Sequence, residues 1–264
     1  MNISNLIERR RKLKESLASN QVVFGAWTSL AHLSIAELFA KSGVDFVGID
    51  IEHSTYSLDQ CRDVISASQA EGSLCLPRIA SHNMEAIKRL LDSGADGIIA
   101  PMVSNVEQAQ NIVNWVKYPP VGKRSFGVAR AQGYGFDFAE YTENWNETSS
   151  VIVQIEDIEG IENIDAIAAT NGVDGCMAGP YDLSGSLGVP GQIDSLEVRE
   201  ACKKVIAACK KAGKACGTHL VEPNIEDIER AVEDGFGFII LSSDVFLLWK
   251  WAEKQKAMIA KVRG

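Results

Sequence analysis

A (β/α)8 TIM barrel, an α/β fold, is the architecture this sequence predicts, and three observations carry the prediction. Short apolar, β-branched runs recur eight times, and stretches with helical spacing separate them. The chain of 264 residues also matches the roughly 250 that a barrel needs. Strands that are apolar at consecutive positions are buried on both faces, which implies a parallel sheet covered by helices. The competing doubly wound sheet would show a glycine-rich turn after its first strand. Here the stretch 26–34 reads AWTSLAHLS and contains no G-x-G-x-x-G. One domain over 1–264 is expected, large enough to bury a core without disulfides or a structural metal.

The predicted strands are 22–28 (VVFGAWT), 45–51 (DFVGIDI), 74–79 (LCLPRI), 97–102 (GIIAPM), 151–156 (VIVQIE), 174–179 (DGCMAG), 215–219 (ACGTH) and 236–242 (FGFIILS). Helical spacing fills the gaps. An N-terminal helical pattern comes first, then Ile35, Ala36, Phe39 and Ala40 mark a helix ending at Gly43. Met84 to Leu91 follows Ser81 as a candidate N-cap and stops at Gly94. Val106 to Val116, Ile161 to Ala169, Leu196 to Ala212 and Ile225 to Val232 complete the set. Most close on a nearby glycine, which supplies the left-handed cap before the next strand. Two stretches exceed a minimal barrel. Residues 118–149 are too long for a simple connection and are expected to form a lid or rim. Val245 to Val262, with Phe246, Leu247, Leu248, Trp249 and Trp251, is too apolar for a helix exposed on most faces. It should pack on the barrel or dock against a neighbouring subunit.

Composition narrows the function. Hydrophobic residues make up 46% and charged residues 23%, with a net charge of −9. An acidic chain of pI near 5.0 is a poor nonspecific partner for nucleic acid, which requires clustered Lys and Arg. The short basic run Arg9-Arg10-Arg11-Lys12 with Lys14 reads as a solvated helix face in preference to a binding patch. The polar opening Asn2-Ile3-Ser4-Asn5 lacks the apolar core of a signal peptide. No apolar run approaches the roughly 20 residues that span a bilayer, and a cytoplasmic location is expected. The six cysteines contain no C-x-x-C pair and read as buried thiols.

Barrel active sites form where the strands end. Strand two delivers Asp50, Glu52 and His53, strand three Arg78, strand five Gln154 and Glu156. Strand six leads through Gly179 and Pro180 into Tyr181 and Asp182, and strand seven ends at His219. Several unrelated buried ion pairs would cost desolvation for little stability, so convergence on one site is the better explanation. Glu156 and Asp182 are hard oxygen donors from neighbouring strands, suited to Mg2+ or Mn2+, with Co2+ or Zn2+ as further candidates. His53 has no second His or Cys at ligand spacing and is placed as a base, against a core histidine bonded to a carbonyl. Arg78 offers a fork that matches a carboxylate, or else pairs with Glu52 or Asp50. The Gly179-Pro180 turn would aim the backbone N–H groups of Tyr181 and Asp182 at an anion beside the metal.

The ordered set IDIEH (49–53), PRI (77–79), LDSGADGIIAPMV (91–103), KYPPVGKRSFG (117–127), VQIED (153–157) and GPYDLSGSLG (179–188) resembles the HpcH/HpaI aldolase family. These are class II, metal-dependent pyruvate aldolases that include 4-hydroxy-2-oxoheptanedioate and 2-keto-3-deoxy sugar acid aldolases. The similarity runs from about residue 20 to 245, and the motifs are specific only as a set. It implies reversible cleavage of a 4-hydroxy-2-oxo acid to pyruvate and an aldehyde through a metal-stabilised enolate. Glu156 and Asp182 would hold the ion, and His53 would act as general base through a metal-bound water. Arg78 would hold the substrate and steady the enolate oxygen, Gln154 would contact pyruvate, and Asp50 would organise the side of His53. The resemblance adds Asp92, paired with the histidine of an adjacent subunit. Asp92 ends the third of the helices read above, far from its own mouth, which fits that arrangement. Hexamers built as trimers of dimers that exchange the last helix are implied, giving the segment from Val245 a place to go.

Three positions depart from the family pattern. Tyr181 stands where small residues are common, His219 is unusual, and Arg124-Ser125-Phe126-Gly127 replaces a more usual Arg-Gly start. They leave the pyruvate half intact and bear on the second substrate: Tyr181 and His219 would shape the aldehyde pocket, unless His219 simply satisfies a nearby carbonyl, and the altered loop would change rim contacts. A Schiff-base aldolase would need a lysine at a strand end, whereas the lysines here fall on helices or before strands. A phosphate loop after strands seven and eight is absent from THLVEP and SSDVF. Within the fold, the rival is an acyl-CoA lyase of the citryl- or malyl-CoA type. From another class, the rival is a non-catalytic barrel that binds a ligand.

Overall fold

The computed structural model describes residues 2–19 and 21–264. Its elements alternate as α1 (Ile3–Ala18), β1 (Val23–Thr28), α2 (Leu33–Lys41), β2 (Phe46–Ile49), α3 (Leu58–Ala70), β3 (Leu74–Cys75), α4 (Met84–Asp92) and β4 (Gly97–Ala100). They continue as α5 (Val106–Val116), α6 (Phe138–Thr148), β5 (Ser150–Ile155), α7 (Ile158–Glu162), α8 (Ile164–Ala169), β6 (Gly175–Ala178) and α9 (Pro180–Ser186). The last are α10 (Leu196–Ala212), β7 (Ala215–Leu220), α11 (Ile225–Asp234), β8 (Phe238–Ser243) and α12 (Asp244–Arg263).

All eight predicted strands are present, in the order β3-β2-β1-β8-β7-β6-β5-β4, and every pair is parallel. β3 is short because Pro77 has no N–H to give the ladder. Its neighbours still bond: Arg78 donates to the Ile49 carbonyl at 2.7 Å, and Ile99 to the Pro77 carbonyl at 2.9 Å. Arg78 thereby bridges β2 and β4 and closes the barrel. Alternation along each strand sorts the core into two layers. Trp27, Phe46, Leu76, Ile99, Ile152, Met177, Phe238 and Ile240 fill the interior. Val47, Ile49, Val153, Cys176 and Cys216 face out under the helices.

α1 seals the end of the barrel opposite the mouth, with Leu13 and Leu17 inserted into the interior layer. The basic run is only partly a solvated face. Arg10 is 1% exposed, pairs with Asp96 at 2.6 Å and stacks near Tyr141 and Trp145. The segment 118–149 also lies at this end, as part of the barrel's rim. It runs from the end of α5 to the start of β5, and helices in a barrel end beneath the strands. A 3-10 turn (Arg130–Gly135) and α6 give it structure of its own. Lys117 pins it, its Nζ donating to the carbonyls of Asn146 and Ser149 at 3.0 and 2.7 Å and to the Ser149 hydroxyl at 2.8 Å.

α3 lies outside the predicted helices, although Ser57 and Gln60 form the capping box that starts it. α12 stands away from the barrel beyond its first turn, and only Asp244 in it is buried. All six cysteines are free, and only Cys202 among them is partly exposed. Among the described residues no helix is long and apolar enough to cross a membrane.

Candidate active site

The interior layers predict which side chains reach the mouth. Stepping two residues at a time keeps a side chain on one face of a strand. From Phe46 through Gly48 this leads to Asp50, and from Leu76 to Arg78. From Ile152 it passes Gln154 to Glu156, and from Ala215 it passes Gly217 to His219. The apolar inward face of each strand therefore ends in a polar group at the same end of the barrel.

Arg78 is the most constrained of these groups. Its Nε and Nη2 donate to the two carboxylate oxygens of Asp50 at 3.0 and 2.9 Å, while Nη1 lies 3.3 Å from Glu52. Its guanidinium carbon stands 5.1 Å from the Trp27 ring centroid. A flat guanidinium clamped on two edges and backed by an indole presents its remaining donors in a fixed direction. The ion-pair reading of Arg78 is the one observed: it is paired with Asp50 and Glu52, and the pair fixes its orientation at the mouth. Asp50 also accepts a hydrogen bond from the His53 backbone N–H at 3.2 Å, so one carboxylate fixes both neighbours.

Glu156 is 4% exposed. Its Oε2 accepts from the Met102 backbone N–H at 2.9 Å, and its Oε1 accepts from Gln154 at 3.2 Å. Met102 reaches it from a left-handed backbone conformation, φ 53°, unusual for a side-chain-bearing residue. On the opposite side, a Cβ at Gly179 would lie 2.7 Å from the Glu156 side chain. A glycine is required there. Burial pushes the Glu156 carboxyl up to about 7, and the nearby Glu52 and Asp182 charges push the same way. Glu52 is likewise raised, chiefly by burial. Asp182 projects from the first turn of α9 and is exposed.

Asp50, Arg78, Gln154, Glu156 and Asp182 therefore share one region, with Gly179 and Pro180 packed at its wall. His53 stands at the edge, its side chain 67% exposed and its Nε2 3.8 Å from Glu52. Tyr181 points outward and is 70% exposed. Asp92 is not brought to this mouth: it ends α4 at the far end, bonded to Arg124 at 2.7 Å. Two contributors carried no role in the sequence reading, Trp27 and Met102, and Glu52 figured only as a possible partner of Arg78. Glu52 lay inside IDIEH and Trp27 two residues beyond Gly25 on an inward face, so both were within reach of the alternation rule. Met102 acts through its backbone and left no signal.

The donor set fits a divalent cation. Among the described residues no three His, Cys, Asp or Glu side chains converge on ligand spacing. Two carboxylates with open positions are nevertheless the usual protein share for a hard cation that keeps waters and takes substrate oxygens. The buried Gln154 Oε1 has no hydrogen-bond partner. Together with the raised Glu156 carboxyl, it marks a pocket with acceptor capacity to spare for a cation.

Fold and site together define a barrel enzyme whose mouth pairs buried carboxylates with a clamped arginine. The chain belongs to the HpcH/HpaI aldolase/citrate lyase family, whose model matches residues 23–250. It is 35% identical to the hydroxypyruvate/pyruvate aldolase of Roseobacter denitrificans, over 89% of this chain and 91% of that protein. With the 5-keto-4-deoxy-D-glucarate aldolase of Klebsiella pneumoniae it shares 34% identity, again over 89% and 91%. A solved HpcH/HpaI aldolase/citrate lyase family protein from Burkholderia cenocepacia superposes with a TM-score of 0.88 at 30% identity, covering 96% of this chain and 100% of that one. The protein is thus an enzyme, a carbon–carbon lyase of the pyruvate aldolase type.

Proposed function

We propose that this enzyme depends on a divalent metal ion and reversibly cleaves a 4-hydroxy-2-oxo acid to pyruvate and an aldehyde. One observation carries the reading: Glu156 is buried at the mouth, its carboxyl raised chiefly by that burial and further by Glu52 and Asp182, beside a guanidinium held rigid by Asp50. Glu156 and Asp182 would hold the ion, with Mg2+ or Mn2+ foremost. When bound, the ion supplies Lewis-acid stabilisation to negative charge developing on a keto oxygen.

The remaining work falls to the chain itself. Arg78 binds the carboxylate and keto-oxygen side of the substrate, because its outward edge is already oriented. Gln154 holds Glu156 in place through its amide N–H and borders the bound keto acid. Gly179 and Pro180 let the substrate approach Glu156 closely, while Tyr181 and Asp182 border it. His53 moves the proton: it accepts one from the C4 hydroxyl in cleavage and from the pyruvate methyl group in condensation. Asp50 positions it through the loop backbone, and Asp92 from a neighbouring subunit pairs with its ring. The assembly is a homohexamer, a trimer of dimers, in which α12 crosses to its partner. Six free cysteines fit a reducing, cytoplasmic setting.

The test is isotope exchange. Pyruvate methyl protons should exchange in D2O with Mg2+ or Mn2+ present and stop exchanging with EDTA, followed by NMR. Exchange that persists in EDTA, or never occurs with added metal, defeats the reading. His53→Ala should lower turnover by about 10²–10⁴-fold, the usual contribution of a general base, while metal binding by calorimetry is retained. Glu156→Ala should lose both.

A further inference from the structure

The end of β7 carries a side chain that the chemistry above does not use. His219 follows Ala215 and Gly217 on the inward face, so its ring stands in the mouth. Trp27 meets it edge-on, with centroids 6.5 Å apart, and the same indole backs the Arg78 guanidinium at 5.1 Å. Phe246 of α12 closes the other side at 6.1 Å. Trp27 is a floor shared by a cation and an imidazole.

The neighbours also fix which nitrogen is free. Burial, helped by the positive charge of Arg78, holds the ring down at about 4 and hence neutral at neutral pH. Asp50 and the Ser242 backbone oppose that shift without reversing it. Ser242 sits at φ 60° at the end of β8, and its backbone lies where it favours the protonated ring. A contact that favours the protonated ring is a carbonyl accepting its N–H. Nε2 is buried and has no partner among the protein's own groups; with the N–H on Nδ1, toward the Ser242 backbone, it is an open acceptor. Buried acceptors seldom stay unpaired in a working protein; a bound group or ordered water completes them.

We propose that His219 is a specificity-determining residue whose Nε2 accepts a hydrogen bond from a hydroxyl group on the aldehyde half of the substrate. The inference rests on the aldolase reading, which places pyruvate beside Glu156, Asp182 and Arg78. From there the Trp27 floor leads to His219, so the group that reaches the ring is the distal one. A lone-pair acceptor takes a hydroxyl and repels a carboxylate. Hydroxyaldehydes are therefore the favoured class, ahead of their deoxy analogues and of aldehydes that end in a carboxylate.

The experiment compares kcat/KM for glycolaldehyde, acetaldehyde and glyoxylate as acceptors, with pyruvate and Mg2+ or Mn2+. Wild-type enzyme should prefer glycolaldehyde by at least about ten-fold, toward the roughly 10⁴-fold by which a site built for a hydroxyl rejects the analogue lacking it. His219→Leu should bring the glycolaldehyde to acetaldehyde ratio close to one. His219→Asn, which keeps an amide oxygen, should retain part of it, and thermal melts confirm that both variants fold. Pyruvate methyl exchange in the same preparations separates the two ideas. No exchange in wild-type enzyme defeats the aldolase reading and this inference with it. Normal exchange with an unchanged acceptor ratio in both variants defeats the His219 assignment alone. No hydroxyl preference in wild-type enzyme, as for a ring completed only by water, overturns it too. So does loss of exchange in His219→Leu, which would move the ring to the pyruvate half.

Discussion

Glu156 holds its proton more tightly in the fold than in the unfolded chain, because burial and two neighbouring carboxylates oppose its charge. The sign of the linkage follows. Its folded value of about 7 lies above the unfolded value near 4.3, so the native state binds the extra proton between them. The stability it contributes is complete below the unfolded value and is lost as pH rises through about 7. Urea melts in EDTA should therefore show Glu156→Gln gaining on wild-type protein between pH 5 and pH 8, and an unchanged difference would contradict the burial. At Arg78 the argument is geometric. Lysine cannot span both Asp50 oxygens and Glu52 at once, so Arg78→Lys should lower kcat by about 10²-fold, as for loss of an oriented oxyanion donor. Steady-state kinetics at saturating pyruvate check this. The sequence made the acids, the guanidinium and Gln154 legible, because each ends an inward apolar run. It could not reveal the Met102 N–H on Glu156, since that contact depends on a backbone turn and on no side chain.

At the scale of elements, the inward glycines decide how large side chains nest inside the barrel. Gly217 of β7 leaves room for Phe238 of β8, and a Cβ there would stand 1.9 Å from that ring. Gly48 makes the same allowance for Trp27, with a Cβ at 2.3 Å. Interiors packed this closely cannot absorb an added carbon without displacing a ring. Gly217→Ala should destabilise the protein by about 1–3 kcal/mol. Gly185→Ala, in a helix with nothing near its Cβ, should be neutral or stabilising and serves as the control in chemical denaturation. Equal melts for the two variants would refute the nesting. Strands were readable at this scale because parallel strands buried on both faces leave continuous apolar runs. α3 and α6 were missed, for different reasons. α3 mixes Asp59, Arg62 and Asp63 among its apolar positions, and its signs, the capping box and the spacing of Leu58, Cys61, Val64 and Ile65, were present but passed over. α6 lies within a stretch whose four glycines signal loop, and its buried Tyr141 and Trp145 answer to α1 and Arg124, which are distant in sequence.

The molecule as a whole leaves two separate apolar faces open, and the two together argue for its assembly. One is α12, where Leu247, Leu248, Trp249 and Trp251 are about half exposed along a helix whose only buried residue is Asp244 at its start. The other is the segment after α5, where Phe126, Val128, Tyr134 and Phe136 are exposed, Phe136 at 96%. Patches of this kind mark interfaces. A closed trimer of dimers needs more than one type of contact, and a single patch would stop at a dimer or ring. The second face also adjoins Asp92, held by Arg124 and only 3.8 Å from a Cβ at Gly127. Contact through that face is what would carry Asp92 to a neighbour's His53. Sedimentation velocity should therefore find a hexamer for wild-type protein. Leu248→Glu combined with Trp251→Glu should reduce it to smaller species, since two buried carboxylates in an apolar seam are prohibitive. Asp92→Asn should keep the hexamer yet lose turnover. Full activity in a sedimenting monomer would mean that each barrel works alone, and that Asp92 serves only to anchor Arg124.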